Sequence, residues 1–161
     1  MVERRRMIAM IGGAVGGGVA IAVMESVSAR TMFPLMAIPF ATSIVLVTGS
    51  PEAEPAQPRA LIGGHLISTL VGLLVLQVAG GGLWMAALSV GLAMLAMHLT
   101  RTFHPPAGID PLVVVINEMP WMFLLVPVGA GALILAAFAF IWHALIDHST
   151  GSEQSWPRAW W

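Results

Sequence analysis

His104-Pro105-Pro106-Ala107-Gly108 stands between two long apolar stretches of a 161-residue chain. Neither proline has a backbone N–H, and each ring crowds the turn before it, so a helix cannot run through them. Both suit the first positions of a new helix, where the N–H would lack a partner anyway. The pentapeptide therefore closes one apolar span and opens another. Inside a bilayer every backbone polar group needs a partner. Such a break persists only where protein buries it or a watery cavity meets it.

The surrounding composition fixes the solvent. The chain is 58% hydrophobic and 9% charged, and it has no lysine. A soluble domain carries about 25% charged residues, so the chain reads as an integral membrane protein. The net charge of −1, with Arg4-Arg5-Arg6 as the one basic cluster, gives nucleic acid nothing to bind. Cysteine is absent, which excludes disulfides, thiolate catalysis and cysteine-based metal sites.

A helix needs about 20 apolar residues to cross a hydrocarbon core of about 30 Å. Met7–Met24, Ala60–Ala79, Leu83–Leu99 and Trp121–Ile146 approach or exceed that length. Two further stretches are interrupted, Met32–Thr48 by Pro34 and Pro39, and Pro105–Asn117 by Pro105, Pro106 and Pro111. None of the long spans alternates with period two, so membrane strands are a poor reading. The expected fold is all-α, a single polytopic bundle over 1–161 with about six membrane-embedded segments and a short tail at 147–161.

Arginine placement bears on whether the interrupted stretches cross or re-enter. With six crossings, Arg4, Arg5, Arg6, Arg59, Arg101 and Arg158 share one side and only Arg30 lies opposite. With two re-entrant stretches, Arg59 and Arg101 join Arg30. Cytoplasmic loops hold the excess of positive charge, which favours six crossings and a cytoplasmic N-terminus. Three segments then precede Gly80-Gly81-Gly82 and three follow, giving halves at about 7–79 and 83–146 in opposite orientation. Pro39-Phe40-Ala41-Thr42-Ser43 occupies the place in the first half that Pro106-Ala107-Gly108-Ile109-Asp110 occupies in the second. Paired broken helices in inverted repeats are the usual layout of secondary transporters. Arg4-Arg5-Arg6, the apolar run and Val27-Ser28-Ala29 also imitate a signal peptide. Removing that span would break the symmetry, so it is read as retained.

At its central pentapeptide the chain resembles the HPP family of small integral membrane proteins. A second block agrees: Pro51-Glu52 and Ala56-Gln57-Pro58-Arg59, followed by Ile62-Gly63-Gly64-His65. The two blocks cover roughly 40–70 and 98–115, and the apolar spans fit in number and order. Members in cyanobacteria and plastids are nitrite transporters. The resemblance therefore implies a transporter or channel-like permease for nitrite or a similar small anion. It implies no enzyme activity, no cofactor and no metal. The partners are the anion, the lipid of a bacterial inner (plasma) membrane and, through the glycine-rich first span, further copies of the chain. Where the family continues with small neutral residues, this chain has Ile109-Asp110-Pro111.

Residue chemistry supplies the candidates. A helix started by Pro105 and Pro106, with Ala107 and Gly108 next, is expected to leave amides bare for an anion at the positive end of the helix dipole. Thr42 and Ser43 add hydroxyls at the matching break. His104 can titrate near neutrality or bond a backbone carbonyl, and His65, after Gly63-Gly64, reads either as a site residue or as a structurally bonded one. Asp110 is expected to pair with His104 or Arg101, or to carry a proton. Arg101 and His98, one turn apart, form either an electrostatic vestibule or an interfacial anchor. Glu25 and Glu118 read as solvated span ends, and Gly12, Gly13, Gly16 and Gly17 as a helix-packing face. Trp84, Trp121, Trp142, Trp156, Trp160 and Trp161 read as an aromatic belt. The eleven methionines read as lipid-facing or core filler.

Two alternatives remain at this point. One is a structural or assembly subunit without transport. The other is a metalloenzyme drawing on His65, His98, His104, Asp110, His143, Asp147 and His148, whose spacings reproduce no zinc signature.

Overall fold

A computed structural model describes residues 2–30, 39–150 and 156–160, without the side chains of Val2, Arg4, Arg5 and 147–150. The first part of the interrupted stretch at 32–48, including Pro34, lies outside the described residues. So do the side chains of Asp147 and His148, and Trp161.

Among the described residues the fold is all-helical. Helix α1 spans Val2–Ser28, α2 Ala41–Gly49, α3 Pro58–Ala79, α4 Leu83–Leu99, α5 Ile109–Ile116 and α6 Ala130–Thr150. Three segments are long and apolar enough to cross a membrane: Arg6–Ser28, Pro58–Ala79 and Leu124–Ile146. Shorter apolar helical stretches cover Leu83–Leu99 and Pro105–Ile116.

The breaks have identifiable causes. Gly80 and Gly82 adopt φ of 79° and 113°, conformations that side chains resist, and they reverse the chain between α3 and α4. Arg101 (φ 56°) and Glu118 (φ 49°) take the left-handed conformation without being glycine, ending α4 and following α5. Pro105 and Pro106 begin a short 3-10 turn, Pro105–Gly108, that runs into α5. The sequence treats Trp121–Ile146 as one uninterrupted span. The structure opens its start into a π turn over Leu124–Gly129 around Pro127, which cannot donate to the ordinary ladder.

Close contacts set the directions. Going along α3, Gly63 meets Thr102, Gly64 meets His104 and Gly72 meets Pro111, and just past its end Gly81 meets Glu118. The segment holding α5 therefore runs parallel to α3 along almost its whole length. Gly12 meets Ile146 and Gly16 meets Trp142, so α1 and α6 are antiparallel. Gly13 and Gly17 both lie against Thr48, which seats α2 on α1. The glycine face of α1 thus packs within the subunit, as small residues do where lipid removes the hydrophobic drive between helices.

One end of the bundle gathers the arginines. Arg59 donates from Nη2 to Thr100 O at 2.9 Å, and Arg59 and Arg101 line one cavity with Ala159. Arg6 lines a second cavity with Glu52 and His143. Arg30 follows the opposite end of α1.

Among the described residues the packed interior has three parts, the smallest being Val75, Ala86 and Val115 between α3, α4 and α5. Phe40, Ile44, Leu61 and Leu135 are wholly buried in one cluster, with Ala20 and Met24 of α1 and Trp156 of the tail. Leu73, Val114, Phe123 and Val128 form another, further from the arginine end. Trp84 and Trp121 are exposed, as a belt requires, but Trp156 is only 3% exposed. It leaves the belt because its indole N–H donates to Ala56 O at 3.1 Å, folding the tail onto the loop before α3. His143 is buried, and Nε2 donates to Val47 O at 2.9 Å.

Candidate functional site

Two broken helices and α3 meet at one buried polar cluster. Ser43, His65, His104 and Asp110 are each 0% exposed. Ser43 comes from the first turn of α2, His65 from α3, His104 from the residue before the 3-10 turn and Asp110 from the first turn of α5. His65 bridges the breaks: Nε2 lies 2.8 Å from Ser43 Oγ, and Nδ1 lies 2.7 Å from Asp110 Oδ2. Ser43 Oγ also lies 2.8 Å from His104 Nε2. Thr69 donates to Asp110 Oδ2 at 3.3 Å, and Ser68 donates to Ala107 O at 2.7 Å, tying α3 to the proline turn.

Hydrogen-bond chemistry orients this chain from its outer end. His104 Nδ1 is 2.6 Å from Pro55 O, and a carbonyl can only accept. Nδ1 therefore carries a hydrogen. In neutral His104 the other nitrogen, Nε2, must accept, so Ser43 donates to it. Ser43 Oγ then receives its second bond from His65 Nε2–H. One proton is left to be shared on the His65–Asp110 contact, and that pair is net neutral wherever the proton sits. At the inner end Asp110 Oδ1 is, among the described residues, the one buried side-chain polar atom without a partner.

A cavity of about 440 Å³ adjoins the outer end. Its lining includes Pro55, Gln57, Arg59, His98, Arg101 and Phe103. His98 stacks on Phe103 with ring centroids 4.1 Å apart. The tail closes one side: Gln57 Oε1 accepts from the Arg158 amide at 2.9 Å, and Ala159 joins the lining. Pro55 belongs to both features, as cavity wall and as acceptor for His104.

Several expected site residues converge. His104, Ser43, His65 and Asp110 form the cluster, while Gly63 and Gly64 admit Thr102 and His104 against α3. Arg101 stands at the cavity. Thr42 is exposed and takes no part in the cluster, because one residue along a helix turns a side chain by about 100°. Asp110 pairs with His65 and Thr69 rather than with His104 or Arg101.

The bare amides at the proline turn are not found. Ala107 N–H donates to His104 O at 2.9 Å, and Ile109 N–H is taken by carbonyls of the same turn. Ala107 is wholly buried and Pro105 exposed, with Pro106 and Gly108 between. A 3-10 turn satisfies within itself the donors that an abrupt α-helical start would leave free. Sequence reasoning missed Thr69, Ser68 and the Pro55 carbonyl. It met Gln57 only as a member of a block and Arg59 only there and as a topology marker, although an arginine opening a membrane helix beside a second cationic loop was a readable signal.

The fold and site define a multi-pass helical membrane protein with a buried His–Ser–His–Asp chain beneath an arginine-lined cavity. The family model described as HPP, transmembrane region, matches residues 2–151. The chain belongs to this HPP transmembrane family. Two transmembrane proteins of Dictyostelium discoideum are each 35% identical to it over 130 residues, covering 76% of this chain. The match takes in 40% of one relative and 44% of the other, so the chain spans about two fifths of their length. No solved structure matches it.

Proposed function

We propose that the chain is a transporter or channel-like permease for nitrite or a similar small anion, not an enzyme, working in a bacterial inner membrane. The observation that carries this reading is the cavity that brings Arg59, Arg101 and His98 together one residue away from His104. Two arginines against the single carboxylate of Glu54 leave the lining with an excess of positive charge, which concentrates anions, and guanidinium groups suit flat oxygen acceptors. The anion is captured there rather than at bare helix amides. The same reading takes the six helices as six crossings in two inverted halves, the arginine end being cytoplasmic. Ser43 and Asp110, matched in position between the halves, both bond to His65, which supports the correspondence of α2 with α5. Self-association belongs to this reading through the exposed outer face of α1, including Met10 and Ile11.

Purified chain in liposomes holding a nitrite-sensitive reporter tests it. Protein-dependent uptake is expected, and uptake equal to that of empty vesicles across acid and neutral pH ends the reading. Arg101→Gly gives a sharper result, because it removes the charge while relieving a left-handed residue of about 1 kcal/mol of strain. Uptake is expected to fall about 10-fold while the unfolding midpoint holds or rises. Unchanged uptake makes Arg101 an anchor only.

One observation favours a second reading. Ser43, His65 and Asp110 are bonded in the order of an acyl-transfer triad. With His104 neutral, however, the Ser43 proton is directed to His104, which leaves His65 its donor instead of its base. Labelling of Ser43 by a fluorophosphonate would establish hydrolase chemistry; none is expected.

A further inference from the structure

Asp110 Oδ1, unpartnered and wholly buried, marks the inner end of an unbroken hydrogen-bonded chain whose outer end abuts the arginine cavity. We propose that Asp110, His65, Ser43 and His104 form a proton relay that charges His104 when an anion occupies that cavity, so that anion and proton move together.

The step balances without any added reagent. The shared proton, starting on Asp110 Oδ2, passes to His65 Nδ1. The His65 Nε2–H bond breaks and its proton goes to Ser43 Oγ. The original Ser43 proton goes to His104 Nε2. Asp110 becomes a carboxylate, His65 is neutral with its hydrogen on Nδ1, Ser43 keeps one hydrogen and His104 becomes an imidazolium. No proton is gained or lost and nothing is oxidised. Each hop uses a contact of 2.7–2.8 Å already in place. Ser43 is indispensable because a hydroxyl both donates and accepts, joining rings whose centroids are 5.1 Å apart.

The geometry also sets where the charge stops. Pro55 O accepts from His104 Nδ1 but cannot carry a proton onward. The imidazolium is therefore held behind the cavity wall, facing Glu54, Arg59, His98 and Arg101 across it. Within the bundle the groups against the relay are Thr69 on Asp110 and Thr102 beside Gly63. Glu54 offsets one of the two arginines, the remaining excess opposes a further positive charge at His104, and an anion in the cavity removes that opposition. The anion thus draws the proton outward, and by linkage the proton favours the anion. Beyond Asp110 the bundle is closed by Leu73, Val114, Phe123 and Val128. The relay empties a closed inner point, so Asp110 regains its proton only when the bundle opens there, as alternating access requires, and the chain does not form an open wire.

This inference rests on the anion-transport reading, and the test separates the two. The full chain, carrying 15N-labelled histidine, is placed in phosphatidylethanolamine–phosphatidylglycerol vesicles. Ring nitrogen signals are recorded in sodium chloride and in sodium nitrite, and nitrite accumulation is followed with and without an inward proton gradient. In the wild type, nitrite is expected to turn His104 into an imidazolium and move the His65 hydrogen from Nε2 to Nδ1. Ser43→Ala should abolish both changes and lower gradient-driven accumulation about 100-fold, while Ser43→Thr, which keeps the hydroxyl, should restore them. If nitrite enters equally with and without the gradient and His104 stays neutral, the relay is overturned and transport stands. If no nitrite enters, transport falls and acidification decides the relay. Concerted change of both rings in wild type but not in Ser43→Ala supports it, and independent titration ends it.

Discussion

Asp110→Ala is expected to destabilise the protein by about 3–5 kcal/mol, the range for removing one member of a buried ionisable pair. The size follows from what is stranded. His65 Nδ1 loses its partner at 2.7 Å, and the Thr69 hydroxyl loses its acceptor at 3.3 Å. Both sit where no side chain is accessible, since His65 and Thr69 are each 0% exposed. A buried donor or acceptor left unmade costs about 1–3 kcal/mol. The missing volume adds a cavity. With total stabilities of about 5–15 kcal/mol, such a loss removes much of the folded population. Asp110→Asn separates structure from proton chemistry. Its amide still offers a donor and an acceptor to His65 and Thr69, so much of the stability returns. It has no ionisable proton, so gradient-driven accumulation does not return. Thermal unfolding in detergent measures the first effect and vesicle uptake the second. An alanine variant as stable as the wild type would mean that the cluster does not hold the broken helices together.

The contrast between what was readable in the sequence and what was not lies in this cluster. His104 and the two prolines announced a break, and the apolar lengths announced helices. Neither says which way a helix is rotated. Thr42 and Ser43 are equally polar and adjacent, yet only Ser43 faces inward, a choice made by the packing of Phe40 and Ile44 in the core. Asp110 stood out as a departure from the family pattern, and its oddity was the one signal that it needed a partner. The partner, His65, lies 45 residues earlier, and no local spacing rule spans that distance. An acidic residue in the first turn of α5 also agrees with the helix dipole, so it does not conflict with the proline start. The expectation of free amides failed for a local reason. Prolines at the first positions favour a tight 3-10 turn that uses its own carbonyls. The pairing of Arg59 with Arg101 was legible because either course of the interrupted stretches puts them on one side. Arg59 and Arg101 do share one end of the bundle, joined through the Thr100 carbonyl.

Gly64→Ala is expected to disable the site more severely than its single methyl suggests. A Cβ at Gly64 would lie 2.5 Å from His104 Cβ and 2.9 Å from Thr102 O. Both neighbours are on or next to backbone, so no side-chain rotation relieves the clash, and α3 must part from the segment ahead of the proline turn. Overpacking of this kind costs about 1–3 kcal/mol. The displacement also falls on His104, which is held between Ser43 at 2.8 Å and Pro55 at 2.6 Å. Moving it by even half an ångström stretches one bond out of the range in which a proton transfers. Gly108, inside the His104–Gly108 pentapeptide, behaves in the opposite way. Nothing lies within 4 Å of a Cβ there, and its φ of −60° suits any residue. Gly108→Ala should be neutral or should raise stability by about 0.4–1 kcal/mol through the unfolded chain. Unfolding midpoints of the two variants, with the 15N signals of His104 in each, make the comparison. If Gly64→Ala matches the wild type in midpoint and ring signals while Gly108→Ala unfolds, the contact between α3 and His104 cannot be what positions the relay.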